Sequence, residues 1–305
     1  MVGFSDELPV GGVLKQNYFG QAQVVYRGED GQVRIMDGYC PHMGAHIGAG
    51  GEVVGNEIRC PFHAWKFHGE TGQCTHIPYS DREPPNQAKL NKWKSVERNG
   101  MIFVWFDAEG GEPEFNVPVI PPGNGDESWS PWFHSVMRIN THSREIVENV
   151  VDIGHFQPVH GTHIVKFENE FTNEQAIQRS GGTAYPRGGG KDKFEIDAIY
   201  HGPGFQISDF RGYMNAYLIN AHTMIDEDTL DLRFGVSLQT KEGIDDIEKF
   251  GKMYVDNLTT GFMEDVEIWE NKIFREAPML CRDDGPIMKL RRWYSQFYQP
   301  RAAAE

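Results

Sequence analysis

Tyr39-Cys40-Pro41-His42-Met43-Gly44-Ala45 and Cys60-Pro61-Phe62-His63 decide how the first half of this chain folds. Seventeen residues separate His42 from Cys60, and each segment carries one thiol and one imidazole beside a proline. Two thiolates and two imidazoles on two short loops suit a [2Fe–2S] cluster with mixed ligands. Cys40 and Cys60 would hold one iron, His42 and His63 the other. Imidazole is neutral where thiolate is negative, so such a cluster accepts an electron more readily than an all-cysteine one. Electron transfer is therefore the first function to consider. A structural zinc also takes Cys2His2 sets, but zinc fingers pair Cys with Cys and His with His, whereas each loop here supplies one of each. Disulfides among Cys40, Cys60, Cys74 and Cys281 are the remaining reading.

The surroundings of these loops read as small and all-β. Gln23-Val24-Val25-Tyr26, a Gly28-Glu29-Asp30-Gly31 turn and Val33-Arg34-Ile35-Met36 predict a hairpin. Residues 51–59 predict a second hairpin that joins the two ligand loops, and Met101-Ile102-Phe103-Val104-Trp105-Phe106 predicts a buried strand. Residues 109–125 are rich in Gly and Pro and read as a linker.

Length and composition bound the rest. A chain of 305 residues is long enough for two domains, and 39% hydrophobic with 12% aromatic residues suits packed cores rather than disorder. A net charge of −15 repels phosphate backbones and anionic lipid, which argues against nucleic acid or membrane surface and for a partner with a basic patch. No apolar run reaches spanning length, and the first residues lack the basic-then-apolar profile of a signal peptide. With two cysteines committed to a cluster, Cys74 and Cys281 read as free thiols of a reducing compartment, the cytoplasm.

In the second half, residues 143–155 predict a helix and 194–240 several antiparallel strands. Leu230, Leu232, Phe234, Val236 and Leu238 alternate, which predicts one buried and one polar face. Residues 247–273 predict a long helix. Residues 186–193 read as a flexible loop, a lid or a plain surface loop.

The second informative stretch is Asn149-Val150-Val151-Asp152-Ile153-Gly154-His155-Phe156-Gln157-Pro158-Val159-His160. Two histidines five apart point about 140° away from each other on a regular helix, and Pro158 between them predicts a break or a widened turn that lets both imidazoles converge. One carboxylate more completes the two-His, one-carboxylate face of a non-haem Fe(II) site with open positions for O2. Asp256, Glu264, Asp265 and Glu267 are the candidates on the long helix, and periodicity alone leaves the choice open. Asp152, three residues before His155, is placed to accept a hydrogen bond from a ligand imidazole.

Cys-Pro-His, Cys-Pro-Phe-His and Asp-x-x-His-x4-His together resemble the Rieske non-haem iron oxygenases. More narrowly, the chain is similar to the oxygenase component of bacterial 3-ketosteroid 9α-hydroxylase and its relatives, cholesterol 7-desaturases included. That likeness rests on the Tyr39–Ala45 segment, Arg144-Glu145-Ile146-Val147-Glu148-Asn149-Val150-Val151-Asp152, Asp265-Val266-Glu267-Ile268-Trp269-Glu270-Asn271-Lys272, Asp284-Gly285-Pro286 and Arg291-Arg292-Trp293-Tyr294. It covers nearly the whole chain, although relatives carry additional residues before the segment that matches Val2-Gly3-Phe4-Ser5.

The resemblance implies an α+β architecture: an all-β Rieske [2Fe–2S] domain over residues 1–110 and a helix-grip catalytic domain with an antiparallel sheet over 111–305. It implies Asp265 as the third iron ligand beside His155 and His160. It implies Asp152 as the carboxylate that bridges His63 of one subunit to His155 of the next, hence a homotrimer. Asn149 is expected beside the iron. Electrons come from NADH through a separate flavin and iron–sulfur reductase. The expected reaction is insertion of one oxygen atom at an unactivated C–H carbon of a steroid-like or other hydrophobic alicyclic substrate. Phe205, Phe210, Tyr217 and Phe234 are expected to line its pocket, if they are not plain core. Alternatives are an aromatic-ring dihydroxylating or demethylating oxygenase, a sterol desaturase, a Rieske electron carrier and a structural metal protein. A mononuclear iron beyond the cluster separates the enzymes from the carrier.

Overall fold

The computed structural model describes residues 1–184, 192–212, 214–240 and 246–298. The chain divides into two compact units, Met1–Glu112 and Pro113–Glu305. Part of the anticipated 186–193 loop, up to residue 191, lies outside the described residues.

The first unit is built from ten short strands. β2 (Val13–Tyr18), β3 (Gln21–Arg27) and β4 (Val33–Asp37) form one antiparallel sheet, and β1 (Gly3–Phe4), β10 (Met101–Val104) and β9 (Ser95–Arg98) another. A four-stranded meander of β5 (Glu52–Val54), β6 (Glu57–Arg59), β7 (Lys66–Phe67) and β8 (Cys74–His76) completes it. The hairpin foreseen over 51–59 is β5–β6, closed at Gly55 with φ 62°, a left-handed angle that glycine adopts without steric cost. The core beneath gathers Val24, Tyr26, Met36, Ile47, Ile58, Phe67 and Leu90, and takes in Cys40, Cys60 and Trp65. The cysteine ends of both ligand loops are thus anchored in apolar packing.

The second unit is one seven-stranded antiparallel sheet in the order β11-β17-β16-β15-β14-β13-β12. These strands run over Phe133–Ile139 (β11), His163–Phe171 (β12), Gln175–Ala184 (β13), Asp192–His201 (β14), Phe205–Arg211 (β15), Ala216–Met224 (β16) and Leu230–Leu238 (β17). Helix α3 (Ile247–Trp269) lies against β11 and β17. Its N terminus is capped by Asp246, whose side chain accepts the Lys249 amide. Val255, Phe262, Val266 and Trp269 meet Leu230, Leu232, Phe234, Val236 and Leu238 in one cluster. The close approach is set by Gly251, where an added methyl would run into the Phe133 ring. Each large side chain buried at this seam contributes about 1.5–3 kcal/mol.

Two sequence expectations change here. β17 is buried on both faces, not one. Its polar residues are buried with partners: Asp231 accepts Arg138 Nε at 3.0 Å, and Ser237 Oγ donates to the Ser130 carbonyl at 2.7 Å. The helix expected over 143–155 is also broken. α1 covers only Ser143–Val147, a 3-10 turn follows over Glu148–Val150, and α2 spans Phe156–His160. The Asp152 carboxylate accepts the Gly154 amide at 3.0 Å, a local bond that competes with helix continuation. Val147, Val150 and Val151 turn instead onto Leu290, Trp293 and Tyr294, the last three from α4 (Ile287–Tyr294).

Candidate metal centres

The two loops of the first unit are built alike. The Cys40 amide donates to Ala45 O at 2.9 Å and the Gly44 amide to Cys40 O at 2.9 Å; the Cys60 amide donates to Trp65 O at 2.8 Å and the Ala64 amide to Cys60 O at 3.2 Å. Gly44 and Ala64 occupy the same place in each loop and both take left-handed φ, 74° and 56°. For Ala64 that conformation costs about 1–2 kcal/mol, and the loop keeps it because the turn requires it. His42 is two residues and His63 three residues after its cysteine. The rings nevertheless meet edge to face with centroids 4.7 Å apart. His42 lies flat on Trp65 at 4.4 Å, and the Trp65 indole N–H donates to the Tyr79 hydroxyl at 2.8 Å.

Both cysteines are buried, with Cys40 and Cys60 each 3% exposed. Burial pushes the Cys40 thiol up to about 11, and the neighbouring Cys60 sulfur adds to the effect. A buried thiol beside a second sulfur resists ionisation at Cys40. An iron cluster that takes both as thiolates removes that conflict, so the donor set fits a [2Fe–2S] group.

In the second unit His155, His160 and Asp265 offer ligand atoms that all lie within 4.8 Å of one another. The histidines converge without a break at Pro158. They stand at the two ends of one short helix, α2, with centroids 5.3 Å apart. Pro158 sits in the first turn, where a missing amide hydrogen removes no helical bond. The helix stops at Gly161, φ 62°, with the Gly161 and Thr162 amides returning to Gln157 and Phe156 carbonyls.

Each imidazole has one nitrogen occupied behind the cluster. His155 Nδ1 is 2.6 Å from the Asp152 carbonyl oxygen and 3.7 Å from its carboxylate. His160 Nδ1 is 3.2 Å from Glu264 Oε2, while its Nε2 is 3.3 Å from Asp265 Oδ2. The hydrogen bond to Asp265, aided by Glu264, raises the pKa of His160 against the opposing effect of burial. Asp265 is buried, 7% exposed. A carboxylate in that position needs a cation or strong donors to offset its lost hydration. Two imidazoles and one such carboxylate, the set that the described residues bring together, fit mononuclear Fe(II).

Of the four acidic candidates on α3, Asp256 and Glu267 are exposed, Glu264 stands behind His160 and Asp265 joins the histidines. At 100° per residue Asp265 falls about 20° beyond the edge of the apolar stripe Leu258-Phe262-Val266-Trp269, and Asp256, Glu264 and Glu267 fall farther from it, so spacing favours burial of Asp265 without assigning it a ligand role. From the sequence Glu264 reads as a candidate ligand; its place behind an imidazole depends on the packing of α2 on α3. Asn149 lies in the 3-10 turn before Asp152, and the Asp152 amide donates to its carbonyl at 3.3 Å. Among the expected pocket aromatics, Phe234 is core against α3, its ring 5.1 Å from Phe262. Phe205 is buried, and Tyr217 packs on Trp129 at 4.9 Å.

This pairing of an all-β [2Fe–2S] unit with a helix-and-sheet unit carrying two histidines and a carboxylate is that of a Rieske non-haem iron oxygenase. Residues 1–97 match the Rieske [2Fe-2S] domain, and 104–298 match the 3-ketosteroid 9alpha-hydroxylase C-terminal domain. A probable 3-ketosteroid-9-alpha-monooxygenase, oxygenase component, of Rhodococcus rhodochrous is 40% identical over 92% of this chain and 74% of its own length. The cholesterol 7-desaturase of Caenorhabditis elegans is 32% identical over 96% of this chain and 74% of its own. Dicamba monooxygenase bound to dicamba shares the fold, with a TM-score of 0.74 at 19% identity over 96% of this chain and 94% of that one. The chain belongs to the 3-ketosteroid 9α-hydroxylase family of Rieske oxygenases. No helix among the described residues is long and apolar enough to cross a membrane.

Proposed function

We propose that this chain is the oxygenase component of a steroid hydroxylase, in which residues 1–110 carry the cluster and 111–305 the iron. The observation that carries the reading is the meeting of His155, His160 and Asp265 in a chain 40% identical to a 3-ketosteroid monooxygenase component. Cys40, His42, Cys60 and His63 hold the [2Fe–2S] cluster. When bound, the cluster passes single electrons and the iron activates O2. Overall, a substrate C–H, O2, two electrons and two protons become C–OH and water. The electrons originate in NADH and arrive through a separate flavin and iron–sulfur reductase.

The protein's own residues hold, orient and connect. Asp152 bridges His63 of one subunit to His155 of its neighbour in a homotrimer, and Asn149 stands beside the iron. Support for the bridge comes from the Asp152 side chain, 43% exposed within 3.7 Å of His155. Phe62 and Tyr79, each 59% exposed beside the cluster histidines, offer apolar surface for docking. Cys74 and Cys281, both free thiols, suit a cytoplasmic protein.

The test is reductase-driven O2 uptake with product mass analysis over 3-ketosteroids, sterols and simple aromatics. A steroid heavier by one oxygen atom is expected. A sterol lighter by two hydrogens would favour the desaturase reading, which the nematode relative motivates. Turnover of aromatics alone would discard the steroid assignment and leave the metal centres.

A further inference from the structure

The geometry points to Glu264 as a positioning residue that sets the tautomer, the orientation and the donor strength of His160. This rests on the reading of His155, His160 and Asp265 as iron ligands. Glu264 and Asp265 are adjacent on α3, so their side chains leave the helix about 100° apart. The His160 ring sits between them: Nε2 faces Asp265 Oδ2 at 3.3 Å, and Nδ1 faces Glu264 Oε2 at 3.2 Å. One carboxylate lies inside the ligand set and the other outside it. A neutral imidazole carries one ring proton. With Nε2 turned to the metal position, that proton belongs on Nδ1, where Glu264 accepts it.

His155 is supported differently. Its Nδ1 meets a neutral backbone oxygen, that of Asp152, at 2.6 Å. An N–H bonded to a carboxylate is a stronger, charge-assisted hydrogen bond than one bonded to a carbonyl, and it makes the opposite nitrogen the better donor. The two histidines are therefore held differently within the chain: a carboxylate lies within hydrogen-bond distance of His160 Nδ1, whereas the Asp152 carboxylate stands 3.7 Å from His155 Nδ1. Glu264 also brings a second negative charge beside the divalent ion, since Asp265 supplies only one. The carboxylate is 35% exposed, so water screens part of this charge, but the hydrogen bond's direction persists. The α2–α3 packing makes the arrangement possible, because α2 ends at His160 where α3 presents both acids.

The experiment compares Glu264→Gln and Glu264→Ala with the full-length holoprotein. Chelator competition reads the affinity of the mononuclear site for Fe(II). The ligand-field bands of Co(II) taken up at that site read donor strength, and the Rieske absorbance checks the fold. Glu264→Ala is expected to weaken the site on the order of 10–100-fold and to shift the cobalt bands. Glu264→Gln, whose amide oxygen still accepts from Nδ1, is expected to fall between. Wild-type affinity and unshifted bands in Glu264→Ala would overturn the proposal. His155→Ala and Asp265→Ala test the underlying ligand set separately, since each should lose the mononuclear metal and keep the cluster. If Asp265→Ala retains that metal while Glu264→Ala loses it, Glu264 is itself a ligand and both readings fall.

Discussion

Acid should destabilise the second unit through His222, a histidine far in sequence from the metal ligands. His222 lies on β16 and is 6% exposed. The Ser143 hydroxyl donates to the Pro203 carbonyl at 3.1 Å and so accepts from His222 Nδ1 at 3.3 Å. His222 Nε2 then accepts from the Tyr200 hydroxyl at 3.3 Å. Every proton in this chain of bonds has a place only while the ring is neutral, and burial lowers its pKa to about 3. The unfolded chain carries a histidine of pKa about 6.5. Between these values the unfolded state binds the extra proton, so stability is present above about pH 6.5 and is lost progressively as pH falls toward 3. At pH 5 the unfolded form gains a factor of about 33, or ~2 kcal/mol, against about 0.2 kcal/mol at pH 7. His222→Gln removes the titration and keeps a donor and an acceptor, at a cost of about 1–3 kcal/mol that does not vary with pH. Urea unfolding at pH 7 and pH 5, followed by circular dichroism, should show the wild type losing nearly 2 kcal/mol more than the variant over that interval. His201, lowered to about 4 by its burial, titrates in both proteins and cancels. Parallel losses in the two proteins would refute the reasoning.

Three further outcomes are expected. Asp152→Asn keeps an oxygen for the Gly154 amide and removes the charge; it should bind both metals yet almost cease turnover, and normal coupled O2 uptake would end the bridging role. Gly285→Ala would drive a methyl into the Val151 carbonyl just before Asp152. It should cost about 1–3 kcal/mol and reduce mononuclear iron per chain without bleaching the cluster, both measurable by thermal melting and iron assay. Tyr79→Phe strips the acceptor from the indole N–H of Trp65, a residue 8% exposed. The melting of the cluster-bearing unit should fall by about 1–3 kcal/mol of stability, and an unchanged melting curve would show that water replaces the hydroxyl.

The cluster loops were legible in the sequence because their geometry is local. Cysteine, proline and histidine lie within one turn of each other, and a single hairpin closed at Gly55 joins the two loops. Asp152 and His155 were legible as a pair, but the path between them was not. A helix through residues 143–155 satisfies the apolar spacing, yet the Asp152–Gly154 bond and the packing of Val150 and Val151 on α4 prevail over it. Spacing along α3 left the third carboxylate open, the resemblance implied Asp265, and no local rule marks Glu264.

The sequence by itself determined the chemical inventory of this protein: two Cys–His loops, two histidines five residues apart, and an acidic balance of charge. Residue types and short spacings are enough for that, since covalent geometry limits where neighbours can reach. Only the tertiary structure decided which carboxylate meets His155 and His160 and which one stands behind the His160 ring. Those choices follow from how α3 seats against the sheet and α2, and such contacts between distant segments are set by packing of whole faces rather than by spacing along the chain.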